Sequence, residues 1–180
     1  VFEGADTVML SAESAAGQYP LEAVETMSRI AAEVERDINY RNIIHAQRTD
    51  PEATGADAIS AAARQIAETL RLAGIVCYTA SGATALRVAR ERPGTPIIAL
   101  SPNPRTARRL ALVWGVHSVQ SEDARDVDDM VDRACRIAFQ EDFARAGQRI
   151  IIVAGVPFGT PGATNMIRIS YVGTDGFAGL

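Results

Sequence analysis

Short apolar runs alternate with amphipathic segments from residue 55 onward, and this alternation constrains the fold more than any other feature of the sequence. The runs have the length of strands, and the segments between them carry apolar residues at the spacing of one helix face. Strands that alternate with helices of this length are typical of βαβ units, in which helices cover both faces of a parallel sheet. The predicted strands are residues 75–78, 96–100, 116–119, 149–154 and 166–172.

The connection before the last predicted strand is different from the others. Residues 155–164 are too few for a helical crossover, so strand 166–172 is expected to run antiparallel to its neighbour. Its alternating pattern suits a strand at the edge of the sheet. The sequence therefore predicts a three-layer α/β/α sandwich with a mostly parallel five-stranded sheet and an antiparallel edge strand. Because an unprotected edge can pair with another one, we expect self-association through residues 166–172.

The first part of the chain has another pattern. Residues 7–10 form a short apolar run that reads as a strand, and Pro20 stands where a helix can begin. Residues 39–55 are rich in polar and helix-breaking residues, which predicts irregular structure and a domain boundary. We therefore divide the chain into residues 1–45 and residues 46–180.

Helix ends in the second part are predicted from glycine and proline. The apolar stripe that starts at Ile59 is expected to end at Gly74, which would take the position after the helix. The next helix is expected to open at Ser81 and Gly82 and to run to Pro93.

The charged residues exclude several kinds of function. All 18 basic residues are arginines, which excludes Schiff-base chemistry, a Walker-type phosphate lysine and a lysine acid or base. The formal net charge of −4 argues against a nucleic-acid partner. The apolar runs are too short to cross a membrane, and no signal peptide opens the chain. The start at Val1 instead of Met suggests a fragment of a longer protein.

Cysteine and histidine give no sign of a metal site. Cys77 and Cys135 lie in apolar contexts without CxxC spacing, as expected for reduced core thiols of a cytoplasmic protein. His45 and His117 have no ligand-spaced companions and are expected to be surface or packing residues. The acidic cluster at 122–129 is interpreted as a solvated helix N-terminus, with metal binding as the weaker alternative.

The main candidate for binding chemistry is the loop 79–84, between a predicted strand and a predicted helix. Ligands of open α/β sheets bind beyond the carboxyl ends of the strands. Small residues let backbone N–H groups approach an anion, hydroxyl groups can donate to phosphate oxygens, and the helix dipole favours negative charge. The alternative is that Ser81 only caps the helix. The predicted phosphate site, called the cradle below, consists of Thr79, Ser81, Gly82, Ala83 and Thr84.

Two further loops are weaker candidates. Residues 155–165 contain three glycines and two prolines, which indicates either a shaped binding loop or a wide turn before the last strand. Residues 101–106 lead into Arg108 and Arg109, which could bind phosphate. Since the helix dipole disfavours cations at a helix start, structural ion pairs are the favoured interpretation of these arginines.

Several motifs, in this order, resemble the C-terminal part of pyruvate kinases. The run VMLSAESA at 8–15, followed by GQYPLEAV at 17–24, is similar to the last barrel strand of that family and the GxYPxEAV segment after it. The start of the family's C-terminal domain is matched by SGATA at 81–85, RP at 92–93, PIIA at 96–99 and PN at 102–103. The match continues with TARRL at 106–110, WGV at 114–116 and GATN at 162–165. The resemblance covers almost the whole chain.

The resemblance implies a cytoplasmic, tetrameric glycolytic enzyme that transfers phosphoryl from phosphoenolpyruvate to ADP, using Mg²⁺ and usually K⁺. It implies that residues 1–45 are the end of a TIM barrel and that residues 46–180 are an allosteric and oligomerisation domain. Ser11 and Glu13 match the edge of the barrel active site, whereas the catalytic lysine and the metal-binding carboxylates lie upstream. We therefore expect this fragment to be inactive and to bind no metal.

An effector site is implied as well. In regulated members, the loop that matches 79–84 binds a phosphate of a sugar phosphate or nucleotide. Bisphosphate-responsive members add basic side chains near the segment that matches 120–130, where this chain has only Arg125. This favours a monophosphate such as AMP or a hexose or pentose monophosphate. The loop that folds over the ligand matches Gly159, Thr160, Pro161 and Gly162.

Two alternatives stay open. The domain could be a purely structural assembly module whose cradle is vestigial. It could also be a binding domain of the phosphosugar isomerase type, which uses a similar serine-glycine-hydroxyl turn but leaves the motifs at 19–20 and 114–116 unexplained.

Overall fold

The computed structural model of the chain describes residues 1–157, 160 and 163–179. The chain forms two compact units, Val1–Asp50 and Pro51–Leu180. None of the described helices is long and apolar enough to cross a membrane.

The first unit is helical. Its helices are α1 (Ala12–Ala15), α2 (Pro20–Arg36) and α3 (Ile38–Ala46), and Pro20 lies in the first turn of α2 as its fixed backbone angle favours. The strand predicted at 7–10 does not form. Residues 1–50 are all described and contain no strand, so this unit provides no strand for the segment to pair with. Met9 is accordingly 85% exposed.

Helix α3 corrects the prediction of irregular structure over 39–55. The carboxylate of Asp37 accepts a hydrogen bond from the N–H of Asn39 at 2.7 Å and so caps the helix. Tyr40 and Ile44, four residues apart, are both buried. Asn39 and Asn42, which had suggested a loop, lie within this helix and do not prevent it, because packing of the buried pair outweighs their weak helix propensity.

The second unit contains a six-stranded sheet in the order β3-β2-β1-β4-β5-β6. The first four strands in this order are parallel, and β5 and β6 are antiparallel. The strands are β1 (Gly74–Tyr78), β2 (Ile97–Ser101), β3 (Val116–Gln120), β4 (Arg149–Ala154), β5 (Met166–Val172) and β6 (Ala178–Gly179). The helices are α4 (Gly55–Leu70), α5 (Ala83–Arg90), α6 (Pro104–Leu110) and α7 (Val127–Gln140).

Two apolar layers hold this sheet, as the sandwich prediction requires. Alternate residues of a strand point to opposite faces, so Ile75 and Val76 belong to different layers. Helix α7 covers the face that contains Val76, and α4, α5 and α6 cover the face that contains Ile75. The three-layer α/β/α architecture is therefore confirmed.

The sheet has one strand more than the five predicted. Strand β6 pairs with the end of β5, with Gly179 opposite Tyr171 and Ala178 opposite Val172. Because β6 consists of only Ala178 and Gly179, it has no alternating pattern by which it could be predicted, and its pairing with β5 defines it as a strand. Among the described residues, the part of β5 before Tyr171 has no strand on its outer side, so most of the predicted edge remains an edge.

Two helix ends differ from prediction. Helix α4 ends at Leu70, and Arg71 adopts the left-handed conformation (φ 51°) that was predicted for Gly74, which instead begins β1. Helix α5 begins at Ala83, after the left-handed Gly82 (φ 94°), and ends at Arg90, short of Pro93.

Candidate functional site

The site lies where the strand order reverses. Strand β1 is flanked by β2 on one side and by β4 on the other, and all three are parallel. Open α/β sheets bind ligands in a crevice at such a reversal, which here corresponds to the carboxyl ends of β1 and β4. Residues 79–82 follow β1 at this point, and Gly155 and Val156 follow β4.

The loop after β1 is organised by its own hydroxyl groups. The N–H of Gly82 donates to Oγ1 of Thr79 at 2.9 Å, and the N–H of Ala83 makes a longer contact of 3.4 Å with Oγ of Ser81. Both hydroxyl groups thus accept through oxygen and keep a hydrogen to donate. Ser81 is exposed at the start of α5, whereas Thr79 is buried.

Two side chains of α6 hold the same loop by its carbonyl groups. The hydroxyl of Thr106 donates to the carbonyl of Ala80 at 3.0 Å, and Nη2 of Arg109 donates to the carbonyl of Ser81 at 2.6 Å. Sequence reasoning favoured ion pairs for Arg109 and did not assign Thr106. The contacts span 26 and 28 residues and arise because β1 and β2 are neighbours, which no local signal could reveal.

Thr84 is buried, whereas Ser81 is exposed. Oγ1 of Thr84 lies 2.8 Å from Oγ1 of Thr164, and the two residues are only 6% and 5% exposed. Thr84, which was predicted to donate to a phosphate, therefore joins the first turn of α5 to the segment before β5. Thr164 was not among the predicted site residues.

The loop after β4 closes at its base. A Cβ on Gly155 would overlap the backbone carbonyl of Ala163, so the two ends of the loop are in direct contact. The side chain of Asn165 accepts from the N–H of Val156 at 2.9 Å and donates to its carbonyl at 2.6 Å. Of the predicted effector loop, Thr160 is exposed, and Gly159, Pro161 and Gly162 lie outside the described residues.

Arg125 follows β3, two strands away from β1, and its charge is already engaged. Its Nη2 donates to Oδ1 of Asp129 at 3.1 Å, and its backbone N–H donates to Oδ2 at 3.0 Å. The hydrogen bond to Asp129 raises the pKa of Arg125. The backbone N–H and then the guanidinium of Arg125 lower the pKa of Asp129 to about 2.

Ser11 and Glu13 belong to the first unit. The N–H of Ser11 donates to Oε2 of Glu13 at 3.0 Å. The pKa of Glu13 is lowered, first by its own backbone N–H and then by that of Ser11. Across the part of the chain that the structure describes, no three His, Cys, Asp or Glu side chains converge to hold a metal ion.

Comparisons with known proteins agree with the architecture. The family model described as "Pyruvate kinase, alpha/beta domain" matches residues 57–170. A pyruvate kinase from Methylorubrum extorquens is 60% identical over 172 residues, which cover 96% of this chain and 36% of the relative. Pyruvate kinases from Agrobacterium vitis and Geobacillus stearothermophilus are 43% and 41% identical, over 96% of this chain and 36% and 29% of their own lengths. The chain thus spans about a third of the length of these relatives.

Proposed function

Because this chain belongs to the pyruvate kinase family, we propose that it is the regulatory and assembly part of an enzyme that transfers phosphoryl from phosphoenolpyruvate to ADP. The family match falls within the second unit, where the crevice between β1 and β4 lies. The regulatory role is to bind a small phosphomonoester in that crevice.

The observation that carries this proposal is the position of Ser81. Its hydroxyl is exposed at the start of α5, at the point where the strand order reverses. First-turn amides of a helix lack acceptors within the helix, and the helix dipole favours an anion at this end. The Ser81 hydroxyl, the hydroxyl hydrogen of Thr79 and these amides provide donors for phosphate oxygens without any lysine.

A monophosphate fits this environment better than a bisphosphate. The guanidinium of Arg125 is paired with Asp129, and Glu122, Asp123 and Asp128 are exposed nearby in sequence. Negative charge in that segment opposes a second phosphate there. We propose AMP or a hexose or pentose monophosphate as the effector.

The first unit is proposed to be the end of the catalytic barrel and to be inactive alone. It exposes an apolar groove of about 660 Å³ whose lining includes Val8, Leu10, Met27 and Ile30. An exposed apolar surface of this kind favours contact with a part of the parent enzyme outside this chain. Turnover of phosphoenolpyruvate and ADP by the isolated chain, with Mg²⁺ and K⁺ supplied, would overturn this part of the proposal.

Assembly is proposed to use the outer edge of β5. Ile169, Tyr171 and the nearby Phe177 are exposed, and the strand has unpaired length before Tyr171 among the described residues. Sedimentation of the chain should give a dimer or larger species.

A purely structural role, without an effector, is the second candidate. It is favoured by the loop after β1, where the N–H of Gly82 already donates to Thr79 and needs no ligand as acceptor.

Calorimetric titration distinguishes the two roles. AMP, ribose 5-phosphate and glucose 6-phosphate are each titrated into the chain, with fructose 1,6-bisphosphate as the comparison. We expect one of the monophosphates to bind, and Ser81→Asp to abolish that binding by placing a carboxylate in the cradle. Ser28→Asp, which adds the same charge on an exposed position of α2, is the control and should bind normally. No heat from any probe means that the effector role is wrong, and full binding by Ser81→Asp means that the chosen loop is wrong.

A further inference from the structure

The chain enters the second unit through residues 51–54, the short segment before α4. The N–H of Glu52 donates to Oδ2 of Asp57 at 3.0 Å. Nη2 of Arg90, at the C-terminal end of α5, donates to the same oxygen at 2.7 Å, and Nε of Arg87 donates to Oδ1 at 3.0 Å. One carboxylate therefore joins the entering segment to α5.

The start of α4 has the sequence of a capping box but only half of its hydrogen bonds. In a capping box, an N-cap Ser or Thr and an acidic residue three positions later each accept from the backbone N–H of the other. The N–H of Asp57 does donate to Oγ1 of Thr54, at 3.2 Å. The N–H of Thr54, however, donates to the carbonyl of Glu52 at 2.6 Å. The Asp57 carboxylate is thus turned away from its local partner, towards Glu52 and α5.

The two arginines account for this orientation. The side chain of Asp57 is only 2% exposed, whereas those of Arg87 and Arg90 are 33% and 39% exposed. A buried carboxylate is costly unless cations pair with it, and a guanidinium is rigid enough to fix the direction of its partner. The position of the carboxylate therefore depends on α5 as well as on the first turn of α4.

We propose that Asp57 is a two-position latch for residues 51–54. In the closed position, which the structure shows, the two arginines of α5 hold the carboxylate against the N–H of Glu52. In the open position the carboxylate returns to the N–H of Thr54, completes the capping box and releases Glu52. Because α4 is capped in both positions, opening frees the peptide that joins the two units without unfolding the helix. The latch does not depend on the proposed effector role.

NMR of the unliganded chain tests the latch through two amides. A hydrogen bond to a carboxylate moves an amide proton downfield, so the N–H of Glu52 reports the closed position and that of Thr54 the open one. In Arg90→Gln we expect exchange at Glu52 to become about tenfold faster and its amide proton to move upfield, while that of Thr54 moves downfield. Arg87→Gln should change both amides in the same directions, and Arg90→Lys should restore most of the protection at Glu52.

Two further variants serve as controls. Arg64→Gln is the matched one, because Arg64 lies on α4 and donates to Glu68 at 2.8 Å instead of to Asp57. It should leave both reporter amides unchanged. Asp57→Ala removes the latch itself, so it should release Glu52 without moving the amide proton of Thr54 downfield, since no carboxylate remains to return.

Amides in β1 should stay protected in every variant, which shows that the fold is intact, and Arg87→Gln carries the test if Arg90→Gln unfolds. The proposal is wrong if Glu52 keeps its protection when the arginines are replaced. It is also wrong if Glu52 is released without the downfield shift at Thr54, or if Arg64→Gln has the same effect as Arg90→Gln.

A glutamate-specific protease tests the consequence for the joining peptide. The bond after Glu52 lies within the segment that the latch holds. We expect cleavage there to be about tenfold faster in Arg90→Gln than in the wild-type chain or in Arg64→Gln, measured by mass spectrometry of the fragment 53–180. Equal cleavage rates in the three proteins would mean that the segment stays fixed without the arginine, and the latch would be refuted.

Discussion

The carboxylate of Asp57 accepts a hydrogen bond from Nη2 of Arg90 at 2.7 Å, across 33 positions of the sequence. The same carboxylate accepts from Nε of Arg87 at 3.0 Å and from the N–H of Glu52 at 3.0 Å. Asp57 is only 1% exposed, and the hydrogen bond from Arg90 is the main reason that its pKa is lowered. The first turn of α4 is thereby joined to the last turn of α5, the helix whose other end belongs to the proposed cradle.

Replacing Asp57 by Asn should destabilise the second unit. The neutral amide removes the buried negative charge that accepts from both arginines, and its NH2 group faces N–H donors instead of acceptors. We expect the midpoint of thermal unfolding to fall by several degrees, measured by circular dichroism. Glu141→Gln is the control, because it weakens a contact between His117 and Glu141 whose side chains are 44% and 39% exposed, and exposed pairs contribute little. An equal fall in both variants would contradict the role of burial.

Stability in acid should depend on Asp129. Its pKa is about 2 in the folded chain, below the ordinary value of 3.8. As the pH falls, the carboxylate of the unfolded chain is therefore protonated before that of the folded chain. The stabilising contribution of this carboxylate is therefore complete above pH 4 and is lost as the pH falls from about 4 to about 2. Asp129→Asn should flatten the decline of unfolding free energy over this range, measured by urea titration at each pH. The exposed Asp128→Asn should keep the wild-type slope, and an unchanged slope in Asp129→Asn would refute the assignment.

The two cysteines should be unreactive in the native chain. Burial raises the pKa of Cys77 to about 12 and raises that of Cys135, so almost no thiolate is present at neutral pH. Ellman's reagent should label neither thiol until guanidinium unfolds the chain, after which both react. Ser28→Cys, with a thiol on an exposed helix position, should react promptly and serves as the positive control. Fast labelling of a native thiol would show that the core opens locally.

A methyl group at residue 155 should disrupt the base of the loop after β4. In Gly155→Ala the new Cβ meets the backbone carbonyl of Ala163, which cannot move aside as a flexible side chain would. We expect a loss of about 1–3 kcal/mol in unfolding free energy, as for other overpacked sites. Gly94→Ala is the matched control, because its Cβ would have no atom within 4 Å, and it should leave stability unchanged. Equal stability of the two variants would mean that the loop ends are not in fixed contact.

Local sequence patterns predicted the elements that depend on residues close in the chain. The strands ending at Tyr78 and Ala154 were recognisable because each is a continuous apolar run, as expected for strands buried on both faces. The antiparallel direction of β5 followed from the length of the segment before it. Strand β6 and helix α3 were missed, because a neighbouring strand stabilises the first and two buried side chains stabilise the second. The strand predicted at 7–10 was wrong. Its apolar run resembles a strand, but the described residues 1–50 contain no strand with which it could pair.

The amino-acid sequence by itself determined the α/β class, the family and the loop 79–84, because periodicity and short motifs are properties of consecutive residues. Only the tertiary structure decided which side chains meet at that loop: Thr106 and Arg109 at its carbonyl groups, and Thr164 at Thr84. Strand pairing brings these residues together from 26 to 80 positions apart, and hydrogen bonds act only over about 3 Å, so no pattern along the chain encodes them.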